Sequence, residues 1–193
     1  MKDLYYKVNL LSDWHCGCGL TSGSDVDLLV IKDENGLPYI PGKTIKGLLK
    51  EAAYYMGELS DDKDNWHQLR KDVFGIKTSN DPESNQSESG TCYFSNALLS
   101  GTIQNSLKDN EPLKPNLYRQ ISSTAIDENG LAKKHTLRKI EVVIPLELYG
   151  KIAGLHETYL DQILKCFAYV KQLGSHRNRG LGRCIITKWE DNQ

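Results

Sequence analysis

Residues 36–56 read GLPYIPGKTIKGLLKEAAYYM and contain the clearest secondary-structure signal in the chain. Leu37 to Ile40 is typical of an extended segment, and Pro41-Gly42 ends it. Apolar side chains then recur at helical spacing, at Ile45, Leu48, Leu49, Ala52, Ala53 and Met56. This spacing predicts an amphipathic helix that follows directly on an extended segment and buries one face against a neighbouring layer.

The flanking segments predict a mixed α+β chain. Leu4, Tyr6, Val8 and Leu10 alternate with more polar residues, which predicts a half-buried strand over residues 3–11. The remaining patterns indicate extended segments at 26–32, 91–99, 140–152 and 183–189, a short helix at 65–74, and a helix around 160–168 that Gly174 ends. Without insertions the order is β-α-β-β-α-β, the ferredoxin-like (RRM-like) order shared with RNA-recognition folds.

The length of 193 residues suits one domain spanning residues 1–193. Two stretches interrupt it. Residues at about 77–90 are rich in Ser, Asn, Asp and Glu, which predicts a mobile surface loop. Residues at about 114–139 form an inserted excursion with a turn at Asp127 to Gly130, where Asn-Gly accepts positive φ.

The composition argues against a membrane protein and against a disulfide framework. The longest apolar runs are far shorter than a membrane span, and no apolar region follows a basic start, so we expect no membrane association and no signal peptide. Five cysteines, an odd number, favour a reduced, cytoplasmic location. The formal net charge is −1, but basic residues concentrate in 43–50, 133–139 and 176–183. A near-neutral sum can therefore coexist with a basic face.

Lys43, Lys46 and Lys50 form a stripe along the first helix, opposite its apolar face. Lysines beside the free N–H groups of a helix start could bind a phosphate, and a solvated lysine face is an equally good interpretation. The tripeptide Gly42-Lys43-Thr44 resembles the end of a nucleotide-binding P-loop. The glycine required five residues before Gly42 is replaced by Leu37, which excludes ATP binding there.

Residues 173–183 interleave glycines with cations and contain no aromatic residue. Successive phosphates could accept hydrogen bonds from His176, Arg177, Arg179 and Arg183, and the glycines would allow the backbone to approach the ligand closely. The pattern favours sequence-tolerant recognition of a nucleic-acid backbone over a plain basic turn.

Asp25 and Asp27 alternate just before an apolar extended segment, so both carboxylates point to the same side if that stretch is extended. A carboxylate near a phosphate can hold a divalent ion or orient a nucleophile, although two such acids are more often simply solvated. Cys16 and Cys18 beside His15 match tetrahedral zinc spacing poorly. His15 could instead donate to a phosphate or a 2′-hydroxyl.

Further cations lie on the inserted excursion, at Arg119, Lys133, Lys134, His135, Arg138 and Lys139. Arg119 and Arg138 could form part of a basic projecting hairpin that contacts RNA, and an exposed flexible loop explains the same residues equally well.

These segments together resemble the RAMP superfamily of CRISPR proteins, most closely the backbone subunit of type III-A effector complexes. The resemblance rests on residues 36–47, on Val26 to Asp33, on Val73-Phe74-Gly75, on the excursion around Ala125 to Ala132, and on Gly174 to Arg183. The combination of the proline-rich signature with the late glycine motif is the specific part.

The resemblance implies subunits that stack as a helical filament of copies along a guide RNA, beside other CRISPR effector subunits. The insertion would act as a thumb, and complementary single-stranded target RNA would be cut at regular intervals. Asp27 would be the catalytic residue, with a divalent ion, Mg²⁺ or Mn²⁺, as cofactor. Guide contacts would fall on His15, Lys46, Lys50, Arg177 and Arg179.

Two alternatives stay open. The residues on either side of Asp27, Ser24-Asp25 and Leu28-Leu29, differ from those that often flank the family's catalytic aspartate. The chain could therefore be a non-catalytic structural RAMP subunit. A metal-independent guide-processing endoribonuclease would instead use His15, His135 or His176 as general acid and base. A small-molecule enzyme is disfavoured, because the sequence contains no coherent cofactor motif.

Overall fold

The computed structural model describes residues 2–19, 26–77 and 87–190. In chain order its elements are β1 (Lys2–Leu10), α1 (Gly42–Glu58), α2 (Lys63–Leu69), β2 (Gly75–Lys77), β3 (Ser87–Ser89), β4 (Tyr93–Phe94), α3 (Gly101–Asp109), β5 (Tyr118–Ser123), β6 (Arg138–Val143), β7 (Glu147–Leu155), α4 (Leu160–Tyr169) and β8 (Cys184–Lys188). Short 3₁₀ helices occur at Glu111–Leu117, Glu157–Tyr159 and Arg177–Arg179, and a π-helical turn occurs at Arg70–Phe74. No helix in these ranges is both long and apolar enough to cross a bilayer.

The main sheet has four strands in the order β4-β7-β1-β8, and every pairing is antiparallel. Strand β1 is central, since Tyr6 pairs with Gly150 on one side and Lys188 on the other. The sheet strands and the two long helices follow one another as β1-α1-β4-β7-α4-β8. This topology confirms the predicted ferredoxin-like fold.

The core lies between one face of this sheet and the helices α1 and α4. The alternation predicted for β1 holds: Leu4, Tyr6, Val8 and Leu10 are buried, and the residues between them are partly exposed. Tyr6 contacts Phe167 of α4, with ring centroids 5.7 Å apart. A fully buried aromatic side chain of this kind contributes about 3–5 kcal/mol relative to alanine.

Helix α1 begins at Gly42, three residues before its apolar pattern, and contains the whole predicted helix. Pro41 precedes it in an extended conformation, and Gly42 packs against the backbone carbonyls of Phe94 and Ser95 so closely that a Cβ has no room. The Pro-Gly pair therefore both ends the extended segment and seats α1 against β4.

Two predicted elements differ in the structure, and one helix was not predicted. Residues 26–32 are not a strand, because the segment makes only isolated bridges, among them Leu28 with Ile140 and Val30 with Gly17. Gly174 has φ +79° but does not end α4, which stops at Tyr169. Helix α3 had no clear apolar periodicity to predict it; its start is capped by Ser100, whose hydroxyl accepts from the N–H of Ile103.

The two interruptions have the following structures. Strands β2 and β3 form a short antiparallel hairpin, in which Gly75 pairs with Ser89 and Lys77 pairs with Ser87. The two ends of the predicted 77–90 loop therefore belong to this hairpin. Residues 78–86, the middle of the predicted loop, lie outside the described residues. The predicted insertion at 114–139 overlaps a 3₁₀ helix at Glu111–Leu117 and the hairpin β5–β6, in which Tyr118 pairs with Val143 at the base and Ser123 with Arg138 at the outer end. Most of its tip, residues 124–137, is exposed.

Candidate nucleic-acid interface

A cavity of about 530 Å³ lies where the loop after β1, the start of α1 and the glycine-rich segment meet. We call it the central cavity. Its polar wall includes His15, Lys43, Glu51, Ser175 and Arg177. The glycine-rich segment is held on the first loop by a hydrogen bond of 2.8 Å, in which the Ser175 N–H donates to the His15 carbonyl. Three regions that sequence analysis treated separately thus share one cavity.

The glycines of the late segment serve internal packing more than ligand access. Gly174 and Gly182 have positive φ, and each lies directly on a backbone carbonyl, that of His15 and that of Leu173 respectively. Gly180 also has positive φ, but it faces open space. The expectation that all three glycines free the backbone for a ligand is therefore corrected: two of them fix the segment in place.

The arginines of this segment are available to a ligand. Arg177, Arg179 and Arg183 are exposed, and the first two share a single 3₁₀ turn. Arg177 Nη1 lies 4.0 Å from Glu51 Oε2, across the mouth between the segment and α1. Exposed guanidinium groups spaced along one turn suit binding to successive phosphates, and RNA binding by these arginines stays a prediction.

His15 is buried, with 1% of its surface exposed. Its Nδ1 lies 2.7 Å from the Glu141 carbonyl, which can only accept, so Nδ1 carries a proton. In the neutral ring Nε2 is then the free acceptor. The structure thus places His15 in the wall of the central cavity as a core residue, and RNA binding by its ring stays a prediction.

His176 lies beside His15, with ring centroids 6.5 Å apart. Its backbone is left-handed at φ +58°, and its Nδ1 is buried without a hydrogen-bond partner among the described residues. Burial, followed by the nearby charges of Arg179 and His15, lowers the pKa of His176 below its usual 6.5. The ring is therefore largely neutral at pH 7.

The three lysines of α1 have different surroundings. Lys43 is exposed and lines the central cavity. Lys46 lies over the Phe94 ring, with Nζ 5.9 Å from its centroid. Lys50 donates to the Gly75 carbonyl at 2.6 Å, and burial, then Lys46 and Arg70, lower its pKa. The helix start also offers fewer free donors than expected, because the Gly42 N–H donates to Asn96 Oδ1 at 2.9 Å.

Arg119 and Arg138 belong to the hairpin β5–β6 and do not line the central cavity. Arg119 Nη2 is 2.8 Å from Asp13 Oδ1, and Arg138 is exposed opposite Ser123. The structure therefore separates two basic regions, one at the central cavity and one on the hairpin.

Asp27 lies against β6, near the end of the β5–β6 ladder that leads to the exposed tip. Its Oδ2 accepts from the Lys139 N–H at 2.7 Å, and its own N–H donates to the Lys139 carbonyl at 2.9 Å. The residue is nonetheless exposed. The carboxylate is thus fixed against β6 by one oxygen while its face is open to solvent, a geometry that holds an acid in place for a ligand arriving from outside.

The metal predicted at Asp27 has a limited donor set. Within residues 2–19, 26–77 and 87–190, no three His, Cys, Asp or Glu side chains are grouped to hold an ion, and Asp25 lies outside the described residues. One carboxylate suits Mg²⁺ or Mn²⁺, which commonly complete their shells with water and substrate phosphates. Zinc fits poorly at residues 14–19, since within the described residues no third His, Cys, Asp or Glu side chain joins a pair of them to form a tetrahedral site.

Glu141 is a residue that sequence analysis missed. Its Oε1 accepts from Lys32 Nζ at 2.8 Å, its Oε2 accepts from the Val30 N–H at 3.1 Å, and its carbonyl faces His15. It thereby ties the segment after Asp27 to the loop beneath the central cavity. These partners are more than 100 residues away in sequence, so no local pattern could have shown the role.

Comparison with known proteins agrees with this architecture. One solved structure, described as the cryo-EM structure of the type III-B Cmr-beta bound to cognate target RNA, matches with a TM-score of 0.70 and 11% identity over 97% of each chain. A second, the apo state of the type III-B Cmr-beta, matches with a TM-score of 0.67 and 13% identity over 98% of each chain. No curated protein matches the chain in sequence. The family model of the RAMP superfamily matches residues 7–185, and the chain belongs to that superfamily.

Proposed function

We propose that this chain is a guide-RNA-binding backbone subunit of a type III CRISPR effector complex that cleaves complementary single-stranded target RNA. The observation that carries the proposal is the central cavity, where Lys43 and Arg177 from distant parts of the chain border one space. Membership in the RAMP superfamily and the fold shared with type III-B Cmr-beta chains support it. The finer assignment to type III-A, and a filament of copies beside other effector subunits, rest on the sequence motifs.

Guide binding would be led by phosphates. Arg177 and Arg179 project from one turn, Lys43 borders the cavity, and Arg183 lies exposed at the start of β8. Charge-assisted hydrogen bonds to phosphate carry no sequence information, which suits a subunit that must hold any guide. The hairpin arginines, Arg119 and Arg138, would contact RNA separately.

Cleavage is assigned to Asp27. The 2′-hydroxyl of the target nucleotide attacks the adjoining phosphorus, the P–O5′ bond breaks, the hydroxyl proton is released and a proton is taken up by the departing 5′-oxygen. The products are a 2′,3′-cyclic phosphate and a 5′-hydroxyl. Asp27 would orient the reacting group, and a divalent ion, Mg²⁺ or Mn²⁺, would stabilise charge on the phosphate.

The test is target cleavage by the assembled guide complex, comparing wild type with Asp27→Asn, Asp27→Ala and the exposed-tip control Glu128→Gln. Asparagine retains an oxygen that can accept from the Lys139 N–H, so it removes the charge while preserving the anchor seen in the structure. We expect both Asp27 variants and EDTA to lower the cutting rate at least about 100-fold with target binding unchanged. Cutting by Asp27→Asn at the wild-type rate would contradict the assignment.

Two other functions remain candidates and the same assay separates them. A non-catalytic RAMP subunit is favoured if the wild-type complex binds target but leaves it intact. A metal-independent guide-processing endoribonuclease draws support from the adjacent rings of His15 and His176, whereas His135 lies apart on the hairpin tip. Cleavage of precursor RNA that persists in EDTA and is lost in His176→Gln would favour it.

A further inference from the structure

A second cavity, also about 530 Å³, lies at the base of the hairpin β5–β6. We call it the hairpin-base cavity. Its walls come from the turn ending at Gly36, the 3₁₀ helix Glu111–Leu117 and the first residues of β5. It shares no lining residue with the central cavity, and only Arg119 among its residues was expected to bind RNA.

One wall is aromatic and fixed in position. The Tyr118 hydroxyl donates to the Gly36 carbonyl at 2.7 Å, and Lys32 Nζ lies 3.9 Å from the ring centroid. Burial and the nearby carboxylates of Glu141 and Asp33 raise the pKa of Tyr118, so the hydroxyl stays a donor. The wall therefore combines a rigid ring with a cation held against it.

The remaining walls mix charges and amides. Lys32, Lys114 and Arg119 contribute three cations, against two carboxylates from Glu111 and Glu141, and the side-chain amides of Asn35 and Gln120 add both donors and acceptors. Each of these cations is already paired with a carboxylate: Lys32 with Glu141, Lys114 with Glu111, and Arg119 with Asp13. A bare anion would therefore compete with the carboxylates, and an apolar ligand would bury ion pairs that solvent now reaches. A nucleotide matches the set, since it carries a phosphate, a flat aromatic base and hydroxyl or amino donors.

The cavity adjoins the residue assigned to cutting. Asp27 is anchored to the backbone of Lys139, and Glu141, whose side chain lines the cavity, lies two residues further along β6, about 7 Å along the strand. An RNA strand that presents a phosphate at Asp27 thus brings a neighbouring nucleotide within reach of the cavity.

We infer that the hairpin-base cavity binds one nucleotide of the single-stranded target RNA next to the cleaved bond, with its base against Tyr118 and its phosphate on Arg119. The inference rests on the proposed function and deepens it, because it assigns the substrate-positioning site for the cut. It gives Tyr118 and Gln120 roles that their places in the sequence do not indicate.

The test uses the assembled guide complex and complementary RNAs that are intact or abasic at one nucleotide on either side of the cut. We expect the wild type to bind one abasic target about tenfold more weakly than the intact target, because a base–aromatic contact is lost. Tyr118→Leu should bind intact and abasic targets with the same affinity, because the variant has no ring for the base to contact and so loses nothing when the base is removed.

A second variant guards against a folding defect, as Tyr118 also packs against the core. Gln120→Glu adds a negative charge to an exposed side chain of the cavity and should weaken target binding and cutting about three- to tenfold. Asn105→Asp makes the same amide-to-carboxylate change on exposed α3, outside both cavities, and should leave both unchanged.

The outcomes separate the two proposals. Normal binding and cutting by wild type, together with unchanged values for Tyr118→Leu and Gln120→Glu, would overturn the nucleotide site alone. Loss of subunit assembly in these variants, with RNA affinity per complex unchanged, would also overturn it and indicate a protein contact. A wild-type complex that neither binds nor cuts complementary RNA would reject the proposed function, and the nucleotide site with it.

Discussion

The central cavity and the surroundings of Asp27 are built in opposite ways. The central cavity is formed by a long helix and by a segment fixed through Gly174 and Gly182, and cations project into or beside it. Asp27, by contrast, lies on a segment with no strand ladder of its own, which is attached to β6 by separate hydrogen bonds to Lys139 and Glu141.

This difference suggests a division of labour. A site that must hold RNA at every step benefits from rigid walls and several phosphate contacts, whereas a cutting residue must meet a substrate that arrives and leaves. Binding and cutting should therefore respond to different substitutions.

The largest expected effect concerns binding. Arg177→Glu with Arg179→Glu should weaken guide-RNA affinity at least about 100-fold, since hydrogen bonds to charged groups contribute about 1.5–3 kcal/mol each. Lys63→Glu with Lys108→Glu is the matched control: both lysines are exposed and line neither cavity, so the same change of charge should leave affinity within about twofold. Equilibrium binding measures both. Equal losses in the two variants would show that the charge is not localised at the central cavity.

The next effect concerns the rigidity of the central cavity. Gly182→Ala places a Cβ against the Leu173 carbonyl in a left-handed conformation and should cost about 3 kcal/mol or more. Gly180→Ala has the same kind of φ but open surroundings, and should cost only about 1–2 kcal/mol. Denaturant unfolding compares them. A reversed order would mean that the glycine-rich segment is not packed as described.

The regions also differ in what the sequence could predict. The helix over Ile45 to Met56 and the strand around Tyr6 follow from local periodicity, and both are confirmed. Asp27 contacts Lys139, 112 residues away in sequence, and the buried His15 ring bonds to the Glu141 carbonyl, so no local sequence pattern could predict either contact. The Lys43 to Lys50 stripe was visible in sequence, but only tertiary packing divides it between the central cavity and the carbonyl of Gly75.

A smaller effect concerns pH. The pKa of His176 is lowered in the folded chain, so between that value and about 6.5 the unfolded chain binds more protons and stability rises with pH. His176→Gln should therefore lose less stability than wild type as pH falls from 7 to 5. Unfolding at several pH values measures this, and NMR titration should show the His176 pKa rising in Arg179→Ala. A wild-type pKa at or above 6.5 would contradict the burial of the ring beside His15.

The measurement that tests the central claim most directly is the salt dependence of guide-RNA binding by wild type and by the doubly substituted Arg177→Glu, Arg179→Glu chain. If about four phosphates are neutralised per subunit, log K should fall against log salt with a slope of about −3, and the variant should show a clearly shallower slope. A flat response in the wild type, or equal slopes in the two proteins, would contradict phosphate-led RNA binding at the central cavity.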